Sequence, residues 1–152
     1  MYYAFQNREH LYIVMDYLSG GDMRYHIFKK KKFDEEQAKF FISCLVLALE
    51  YLHHNKVMHR DIKPENLVFD DKGYLYLTDM GIAKFTKTDK PIFDSSGTPG
   101  YMSPEVISNS DHGIVCDYFA IGVMVYEFMF CKVFFSLFSD LMLGKPERKS
   151  ET

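Results

Sequence analysis

The polar stretch from Asp61 to Asn66, together with Asp79, carries side chains of the types that bind a metal ion and assist group transfer. The amide oxygen of Asn66 and the carboxylate of Asp79 suit Mg²⁺, a hard cation that prefers oxygen ligands and often takes the others from phosphates. Asp61 can accept a proton from a hydroxyl group, and Lys63 can neutralise charge on the group being transferred. The pattern indicates metal-assisted transfer of a charged group to a hydroxyl.

A β-hairpin is expected to bring the two metal ligands together. Residues 67–69 and 74–77 have the composition of short strands, and the turn-forming residues 70–73 join them. Because a hairpin brings its two ends together, Asn66 and Asp79 should face each other across a small gap.

A long helix should precede the polar stretch. Asp34 is a suitable N-cap, and Gln37 three residues later completes the signature of a capping box. Apolar residues then repeat at helical spacing. Val46 and Leu47 make this helix apolar over more than one face, which predicts a central position in the fold.

A second long helix is predicted from about Asp117. Residues 119–138 are apolar over about the length that a bilayer requires. Glu127 and Lys132 lie inside that stretch, and charges at membrane depth are expensive. A fully buried core helix is therefore the favoured interpretation. The polar loop over residues 84–104 is longer than most connections, which indicates a functional loop.

The first part of the chain predicts a strand, a turn and a short helix. Residues 11–15 form a compact apolar run that is typical of a buried strand. Gly20 and Gly21 mark a turn, and Asp22 is a suitable N-cap for a helix over residues 23–28.

Composition points to one folded domain that works inside the cell, in the cytoplasm. Apolar residues make up 47% of the 152 residues, which is enough for a packed core. The net charge of -3 gives no reason to expect a nucleic acid or an acidic membrane as the partner. Cys44, Cys116 and Cys131 are sparse and widely spaced, as in a protein with reduced thiols, and no signal peptide is recognisable.

Several motifs in one order resemble those of the protein kinases. Residues 59–66 read H-R-D-I-K-P-E-N, residues 79–81 read D-M-G, and residues 96–105 run from S-G-T-P-G-Y to S-P-E. Lys63 gives the serine/threonine form of the catalytic loop. The sequence of residues 20–23 and 97–99 is most similar to that of the AGC group, the relatives of cyclic-AMP-dependent kinase. The resemblance covers roughly residues 2 to 130.

The resemblance implies an α+β, protein-kinase-like fold, incomplete, with a mostly helical large lobe, an active-site hairpin and a remnant hinge strand. It implies transfer of a phosphoryl group from ATP, with Mg²⁺, to Ser or Thr of a protein substrate. Asp61 would be the catalytic base, and Thr98 would bond Asp61 and Lys63. Asn66 and Asp79 would bind metal. Four residues would have structural roles: His59, Met80, Glu105 and Asp117. His59 would pack in the core, Met80 would take the place of the usual Phe, and Asp117 would anchor the backbone of the catalytic loop.

The resemblance also implies where ATP binds. Met15 would be the gatekeeper, Asp16 and Leu18 would offer hinge backbone groups to adenine, Asp22 would meet the ribose, and Val68 would line the floor of the pocket. The full set of cofactor positions is Met15, Asp16, Leu18, Asp22, Lys63, Glu65, Asn66, Val68 and Asp79.

A regulatory contact is predicted between Arg60 and Asp94. Asp94 lies three residues before Gly97, where AGC-like kinases carry a phosphorylated Thr. A carboxylate has one charge and two oxygens, against roughly -1.5 to -2 and three oxygens for a phosphate. We therefore expect a partly self-ordered activation segment with Ser95 or Ser96 as optional phosphorylation sites. A solvated loop aspartate is the alternative.

Parts of the family pattern are missing. We expect the glycine-rich phosphate loop and the strand lysine to lie upstream of Met1. Residues 1–134 are assigned to a partial kinase domain, and residues 135–152 form an unrecognised tail. Five apolar side chains of the last helix are expected to be partly unburied: Val123, Val125, Phe128, Phe130 and Phe134.

Two functions follow from these observations. The first is the catalytic segment of a serine/threonine kinase. The second is a catalytically dead, kinase-derived binding or decoy module, or a fragment produced by a gene-model error. The retained Asp61, Lys63 and Asn66 favour the first, whereas the missing phosphate loop favours the second. A small-molecule kinase and a metal cluster of His53, His54 and His59 are weaker alternatives.

Overall fold

A computed structural model of the chain describes residues 1–86 and 92–131. The predicted α+β class is confirmed, with four α-helices and three two-stranded antiparallel sheets in this part of the chain. The elements are β1 (Tyr3–Gln6), β2 (Leu11–Val14), α1 (Met23–Lys30), α2 (Glu35–His54), β3 (Val57–Met58), a 3₁₀ turn (Pro64–Asn66), β4 (Leu67–Phe69), β5 (Leu75–Leu77), β6 (Lys84–Phe85), α3 (Pro104–Ile107) and α4 (Val115–Phe130). The sheets pair β1 with β2, β3 with β6, and β4 with β5.

The predicted hairpin is formed by β4 and β5. Leu67 lies opposite Leu77, and Phe69 lies opposite Leu75. The turn between them is closed by Asp70, whose carboxylate oxygen Oδ1 accepts from the backbone N–H groups of Lys72 at 2.9 Å and Tyr74 at 2.8 Å. Short polar side chains favour such turns because they replace a backbone acceptor.

Both predicted N-caps are confirmed. Asp22 accepts from the backbone N–H of Tyr25 at 2.7 Å, and Asp34 accepts from that of Gln37 at 2.9 Å. The return bond of the predicted capping box is not observed, because the Gln37 side chain accepts from the Lys30 ammonium. Helix α1 also runs two residues beyond its predicted end, to Lys30.

Helix α2 does not have the central position that its sequence predicted. It buries one face through Ala38, Leu45 and Leu49, whereas the Leu47 side chain on the other face is 65% exposed and Val46 is also exposed. A second apolar face is buried only when another element packs against it, and the described elements cover one side of α2.

The main core lies between α2 and α4. Phe33 joins the two helices, since its ring packs edge-on against Phe41 and Phe128, and its backbone N–H donates to the carbonyl of Phe128 at 2.9 Å. Phe128 and Val123 are buried, so the expectation that they are partly unburied was wrong. Val125 and Phe130 are exposed as expected, and Phe134 lies outside the described residues.

The expected buried strand at residues 11–15 is exposed on both faces. The Leu11 side chain is 79% exposed, and every residue of β1 and β2 is exposed. Among the described residues, the only strand that pairs with β2 is β1. The rings of Phe5 and Tyr12 stack within this pair, with their centroids 5.0 Å apart. The apolar pattern predicted the strand correctly but not the surface that would cover it.

The turn after β2 is tied to the hairpin by close backbone contact. Gly20 donates its N–H to the carbonyl of Phe69 at 2.8 Å, and Phe69 donates to the carbonyl of Gly21 at 2.9 Å. A Cβ at Gly20 would lie 2.5 Å from the Asp70 carbonyl oxygen, so only glycine allows this approach.

Over residues 1–86 and 92–131, no helix has both the length and the apolar character needed to cross a bilayer. Helix α4 ends at Phe130, and the rest of the apolar stretch to residue 138 falls almost entirely outside those ranges.

Candidate active site

Asp117 fixes the backbone of the polar stretch from Asp61 to Asn66 at its N-terminal side. This buried carboxylate accepts from the backbone N–H of His59 at 3.0 Å and from that of Arg60 at 2.8 Å. The imidazole Nε2 of His53, from α2, lies 2.7 Å from the same carboxylate. Arg60 has a φ of 70°, an unfavourable value for a residue with a Cβ, and the Asp117 contact holds it there.

His59 connects this loop to the end of strand β5. Its Nε2 lies 3.0 Å from the carbonyl oxygen of Thr78, and its Nδ1 accepts from the backbone N–H of Asp61 at 3.3 Å. These two contacts require a neutral ring that carries its proton on Nε2. Burial lowers the pKa of His59, which is consistent with that state at neutral pH.

Asp61, Lys63 and Thr98 form a hydrogen-bonded triangle. The Lys63 ammonium donates to Asp61 at 2.7 Å and to the Thr98 hydroxyl at 2.8 Å, and that hydroxyl donates to Asp61 at 2.6 Å. Burial alone would raise the pKa of Asp61, but the bonds from Lys63 and Thr98 outweigh it and lower the pKa. Asp61 is therefore ionised at neutral pH, and its two carboxylate oxygens accept separately, Oδ1 from Thr98 and Oδ2 from Lys63.

Asn66 is oriented so that its amide oxygen remains available. Its Nδ2 donates to the Asp61 backbone carbonyl at 2.8 Å and to the Asp61 carboxylate at 3.2 Å. The backbone carbonyl of Asn66 accepts from the Thr78 N–H at 2.9 Å, which continues the β4–β5 pairing and brings Asp79 next to this position. The hairpin thus joins Asn66 and Asp79 at one end.

Asp79 has an unusual backbone and an exposed side chain. Its φ is 65°, and one carboxylate oxygen accepts from the backbone N–H of Gly81 at 3.0 Å. Met80 does not fill a core slot as expected, because it is 47% exposed. No group of three or more His, Cys, Asp or Glu side chains within the described ranges could hold a metal ion, which excludes the histidine cluster there.

The residues expected at the adenine end lie along the exposed first hairpin and the turn that follows. Met15 and Asp16 are exposed, and Asp16 accepts from the Tyr2 hydroxyl at 2.5 Å. Leu18 is half-buried. Asp22 pairs with Val68 through an antiparallel bridge, so these two positions are adjacent to the hairpin.

Residues 92–105 belong to the activation segment that the resemblance predicts, and they contact the catalytic loop through Asp94. Its carboxylate lies 3.0 Å from Arg60 Nη1 and 3.8 Å from the Lys84 ammonium, and it accepts from the Ser96 hydroxyl. The hydrogen bond from Ser96 and then the one from Arg60 lower the pKa of Asp94. The Ser95 side chain is exposed.

Gly97 lets the activation segment approach the loop closely. Its φ is 142°, and an added Cβ would lie 3.0 Å from the Arg60 carbonyl oxygen and 3.1 Å from Met102. Glu105 lies half-buried in the first turn of α3, where its backbone carbonyl accepts from Ser110 at 2.8 Å.

Sequence reasoning missed an ionic cluster beside this site. Arg24 of α1 contacts Glu65, Glu127 and the hydroxyl of Tyr101. The carboxylate of Glu65, a residue expected among the cofactor positions, lies 2.7 Å from Arg24 Nε. One signal was available: Glu127 is an acidic residue inside an apolar helix, and a buried charge requires a partner.

Comparison with known proteins identifies the family. Residues 1–145 match the family described as "Protein kinase domain". The chain therefore belongs to the protein kinase family. This match continues beyond residue 134 into the segment that the sequence alone left unrecognised.

The relatives agree with the AGC-like resemblance. A probable serine/threonine-protein kinase of Dictyostelium discoideum is 44% identical over 147 residues, which are 96% of this chain and 29% of that protein. The cAMP-dependent protein kinase catalytic subunit of the same organism is 40% identical over 129 residues, 85% of this chain and 20% of that protein. RAC-beta serine/threonine-protein kinase of Rattus norvegicus is 41% identical over 128 residues, 84% of this chain and 27% of that protein. The chain spans less than a third of the length of each of these relatives.

Proposed function

We propose that the protein transfers the terminal phosphoryl group of ATP to Ser or Thr hydroxyls of protein substrates. The single observation that carries this proposal is the triangle of Asp61, Lys63 and Thr98. Because phosphoryl transfer requires little covalent chemistry from the protein, positioning and charge neutralisation are the main tasks of its side chains.

Each member of the triangle has a separate task. Asp61 accepts a hydrogen bond from the substrate hydroxyl and orients its oxygen for attack. Its lowered pKa makes it a weak base, so it takes the proton late, as the new bond to phosphorus forms. Lys63 neutralises charge on the transferred group, and Thr98 fixes the rotamers of both.

The residues present also fit ATP and Mg²⁺. The Asn66 amide oxygen and the Asp79 carboxylate are hard oxygen ligands at one end of the hairpin, and a backbone bridge places Asp22 beside Val68. When bound, Mg-ATP supplies the phosphoryl group and part of the neutralising charge. Asn66 and Asp79 would hold the metal, while Met15, Asp16, Leu18 and Val68 would contact the base.

We propose that Arg60 and Asp94 hold the activation segment in place. The Arg60 side chain is 5% exposed, and within the described part of the chain its Nε–H has no hydrogen-bond partner, so it can donate to a stronger anion. Ser95 is the better placed phosphorylation site because it is exposed. A phosphate on Ser96 would adjoin the Asp94 carboxylate, to which the Ser96 hydroxyl now donates.

A location inside the cell suits this function. All three cysteines are free, and burial raises the pKa of the Cys116 thiol to about 12, so that thiol is unreactive. The kinase domain would occupy at least residues 1–134.

The test compares the complete gene product with its Asp61→Asn variant in transfer of labelled phosphate to a Ser/Thr protein substrate. We expect Asp61→Asn to abolish transfer, and Asp71→Asn, in the exposed hairpin turn, to leave it unchanged. Equal activity of the wild type and Asp61→Asn would overturn the proposal and favour the binding or decoy module. We expect residues 1–152 alone to show no transfer above that of Asp61→Asn.

A further inference from the structure

Two buried polar groups line one small cavity between the catalytic loop and the end of the activation segment. The groups belong to Arg60 and to Ser103, which is only 1% exposed. Among the described residues, neither Arg60 Nε nor Ser103 Oγ has a hydrogen-bond partner. Buried polar groups without a partner are rare because they lose their hydration and gain nothing in return. Two of them at one cavity therefore indicate a ligand that bonds both.

The Ser103 hydroxyl is not used to cap the helix that follows it. Ser103 is the N-cap of α3, and its backbone carbonyl accepts from the N–H of Ile107 at 3.0 Å. A serine at this position usually also accepts through its side chain, but among the described residues no such bond forms. The hydroxyl therefore keeps its donor and its acceptor capacity for a ligand in the cavity.

Arg60 uses one of its nitrogens for the activation segment and has another available for the cavity. Its Nη1 donates to the Asp94 carboxylate at 3.0 Å. Because the guanidinium is planar, this contact also restrains the direction of the Nε–H group. Nε–H can only donate, so the ligand must be an acceptor toward Arg60.

The size of the cavity and the charges around it select water as the ligand. The volume is about 20 Å³, and about 10–15 Å³ is enough for one water molecule. A phosphate or an organic anion does not fit into this space. Asp61 and Asp117 also line the cavity, and their carboxylates disfavour a small anion such as chloride. A water molecule can accept from Arg60 and donate to Ser103, which gives it the two polar partners that a buried water needs.

We propose that Arg60 and Ser103 hold one water molecule, which accepts from Arg60 Nε–H, donates to Ser103 Oγ and so ties the end of the activation segment to the catalytic loop. Ser103 is thereby a positioning residue for Arg60. Because Asp94 and the water hold the guanidinium from two directions, the segment that carries Thr98 does not depend on Asp94 alone. A phosphate on Ser95 that took the Nε–H would have to displace the water. The role in transfer rests on the proposed kinase function, whereas the water site does not.

The first test locates the water and needs no activity. Crystal structures of the complete gene product and of its Ser103→Val variant are compared. We expect electron density for one water within hydrogen-bond distance of Arg60 Nε and Ser103 Oγ in the wild type. Ser103→Val replaces the hydroxyl and adds a methyl group to the cavity, so it should show no water there. A wild type without this water, or with Arg60 Nε bonded directly to another protein group, would overturn the proposal.

The second test measures the coupling of the two residues by urea unfolding. Ser103→Ala removes the hydroxyl, and Arg60→Lys removes Nε–H but keeps a positive charge for Asp94. We expect Ser103→Ala to raise the equilibrium constant of unfolding about tenfold in the wild type, but less than about threefold in Arg60→Lys. The control Ser108→Ala removes an exposed hydroxyl at the other end of α3 and should have the same small effect in both proteins. Equal effects of Ser103→Ala in the two proteins would refute the bridge.

The third test measures whether the water positions the activation segment during transfer. In Ser103→Ala, the additional change Asp94→Asn should lower kcat by at least about tenfold, with little change in KM, because Arg60 then loses both restraints. In the wild type and in Ser108→Ala, Asp94→Asn should lower kcat only several-fold. If Ser103→Ala did not enlarge the effect of Asp94→Asn, the positioning role would be wrong. A water at Arg60 and Ser103 without any phosphate transfer would refute the kinase function and leave the water site intact.

Discussion

The catalytic loop and the first hairpin differ in how they are held. The loop is fixed by buried groups from two helices, since Asp117 of α4 accepts from His59, Arg60 and the His53 ring. Among the described residues, the regular backbone contact of the β1–β2 hairpin is the pairing of its own two strands. All its side chains are exposed, including large apolar ones.

This difference separates the groups proposed for catalysis from the groups proposed to bind adenine. The groups that would orient a hydroxyl and bind metal are positioned by interactions inside the described residues. Met15 and Asp16, which would bind adenine, directly follow a hairpin whose apolar surface has no cover within those residues. An exposed apolar patch of this kind usually marks an interaction surface. Because buried groups hold the loop whereas the hairpin is exposed, we expect mutations to change the free energy of unfolding strongly in the loop and weakly in the hairpin.

Replacing Asp117 by Ala should have the largest effect. The change removes one buried acceptor and leaves two backbone N–H groups and the His53 ring without it. We expect a loss of about 3–5 kcal/mol in the free energy of unfolding, measured by urea denaturation.

Asp71→Ala is the matched control because it removes an exposed carboxylate from the hairpin turn. It should change the free energy of unfolding by less than about 0.5 kcal/mol. Equal effects of the two substitutions would show that the Asp117 contacts do not hold the loop.

The pH dependence of stability should identify the buried state of His59. Burial places its pKa in the folded protein below the ordinary value of 6.5. As the pH falls below 6.5, His59 binds a proton in the unfolded chain but stays neutral in the folded protein. The free energy of unfolding therefore decreases until the pH reaches the lower pKa of the folded state. We expect the wild type to lose up to about 1.4 kcal/mol per pH unit more than His59→Gln in this window.

The experiment compares urea unfolding of the two proteins at pH 7, 6 and 5. Other histidines contribute equally to both, so the difference between the proteins isolates His59. Parallel curves over this range would mean that the ring accepts a proton in the folded state, contrary to the tautomer that its two hydrogen bonds require.

Local patterns in the sequence predicted most of the fold. The two caps, the β4–β5 hairpin and both long helices follow from turn residues and periodicity, which act over a few residues. The geometry around Asp61 was inferred from a motif, and the structure brings Asp61, Lys63, Asn66 and Thr98 together.

The errors concern long-range packing. The apolar run at Leu11 predicted the strand correctly, but the burial of a strand depends on another element that covers it. The predicted burial of Met80 was wrong for the same reason. Arg24 and Glu127 are 103 residues apart, and no local pattern joins them. A charge inside an apolar helix signals that a partner exists but does not identify it.

Asp94→Asn tests the contact between the activation segment and the loop. The substitution removes the charge that faces Arg60 and Lys84 but keeps the side-chain shape. Because the Asp94 side chain is partly exposed, stability should fall by less than about 1 kcal/mol. Transfer activity of the complete gene product should decrease several-fold, as the segment that carries Thr98 becomes less ordered. Full activity that depends only on phosphorylation of Ser95 or Ser96 would contradict this role for Asp94.

Leu11→Ala should have the smallest effect, because its side chain is mostly in contact with solvent. Removing an exposed apolar group recovers no buried area, so the free energy of unfolding should change by less than about 0.5 kcal/mol. Phe128→Ala, the control in the core between α2 and α4, should cost about 3–5 kcal/mol. In the complete gene product, a loss of more than about 1 kcal/mol in Leu11→Ala would show that another surface buries the hairpin there. That surface would then be the structure that positions the adenine side of the site, and the contrast between loop and hairpin would belong to residues 1–152 rather than to the whole protein.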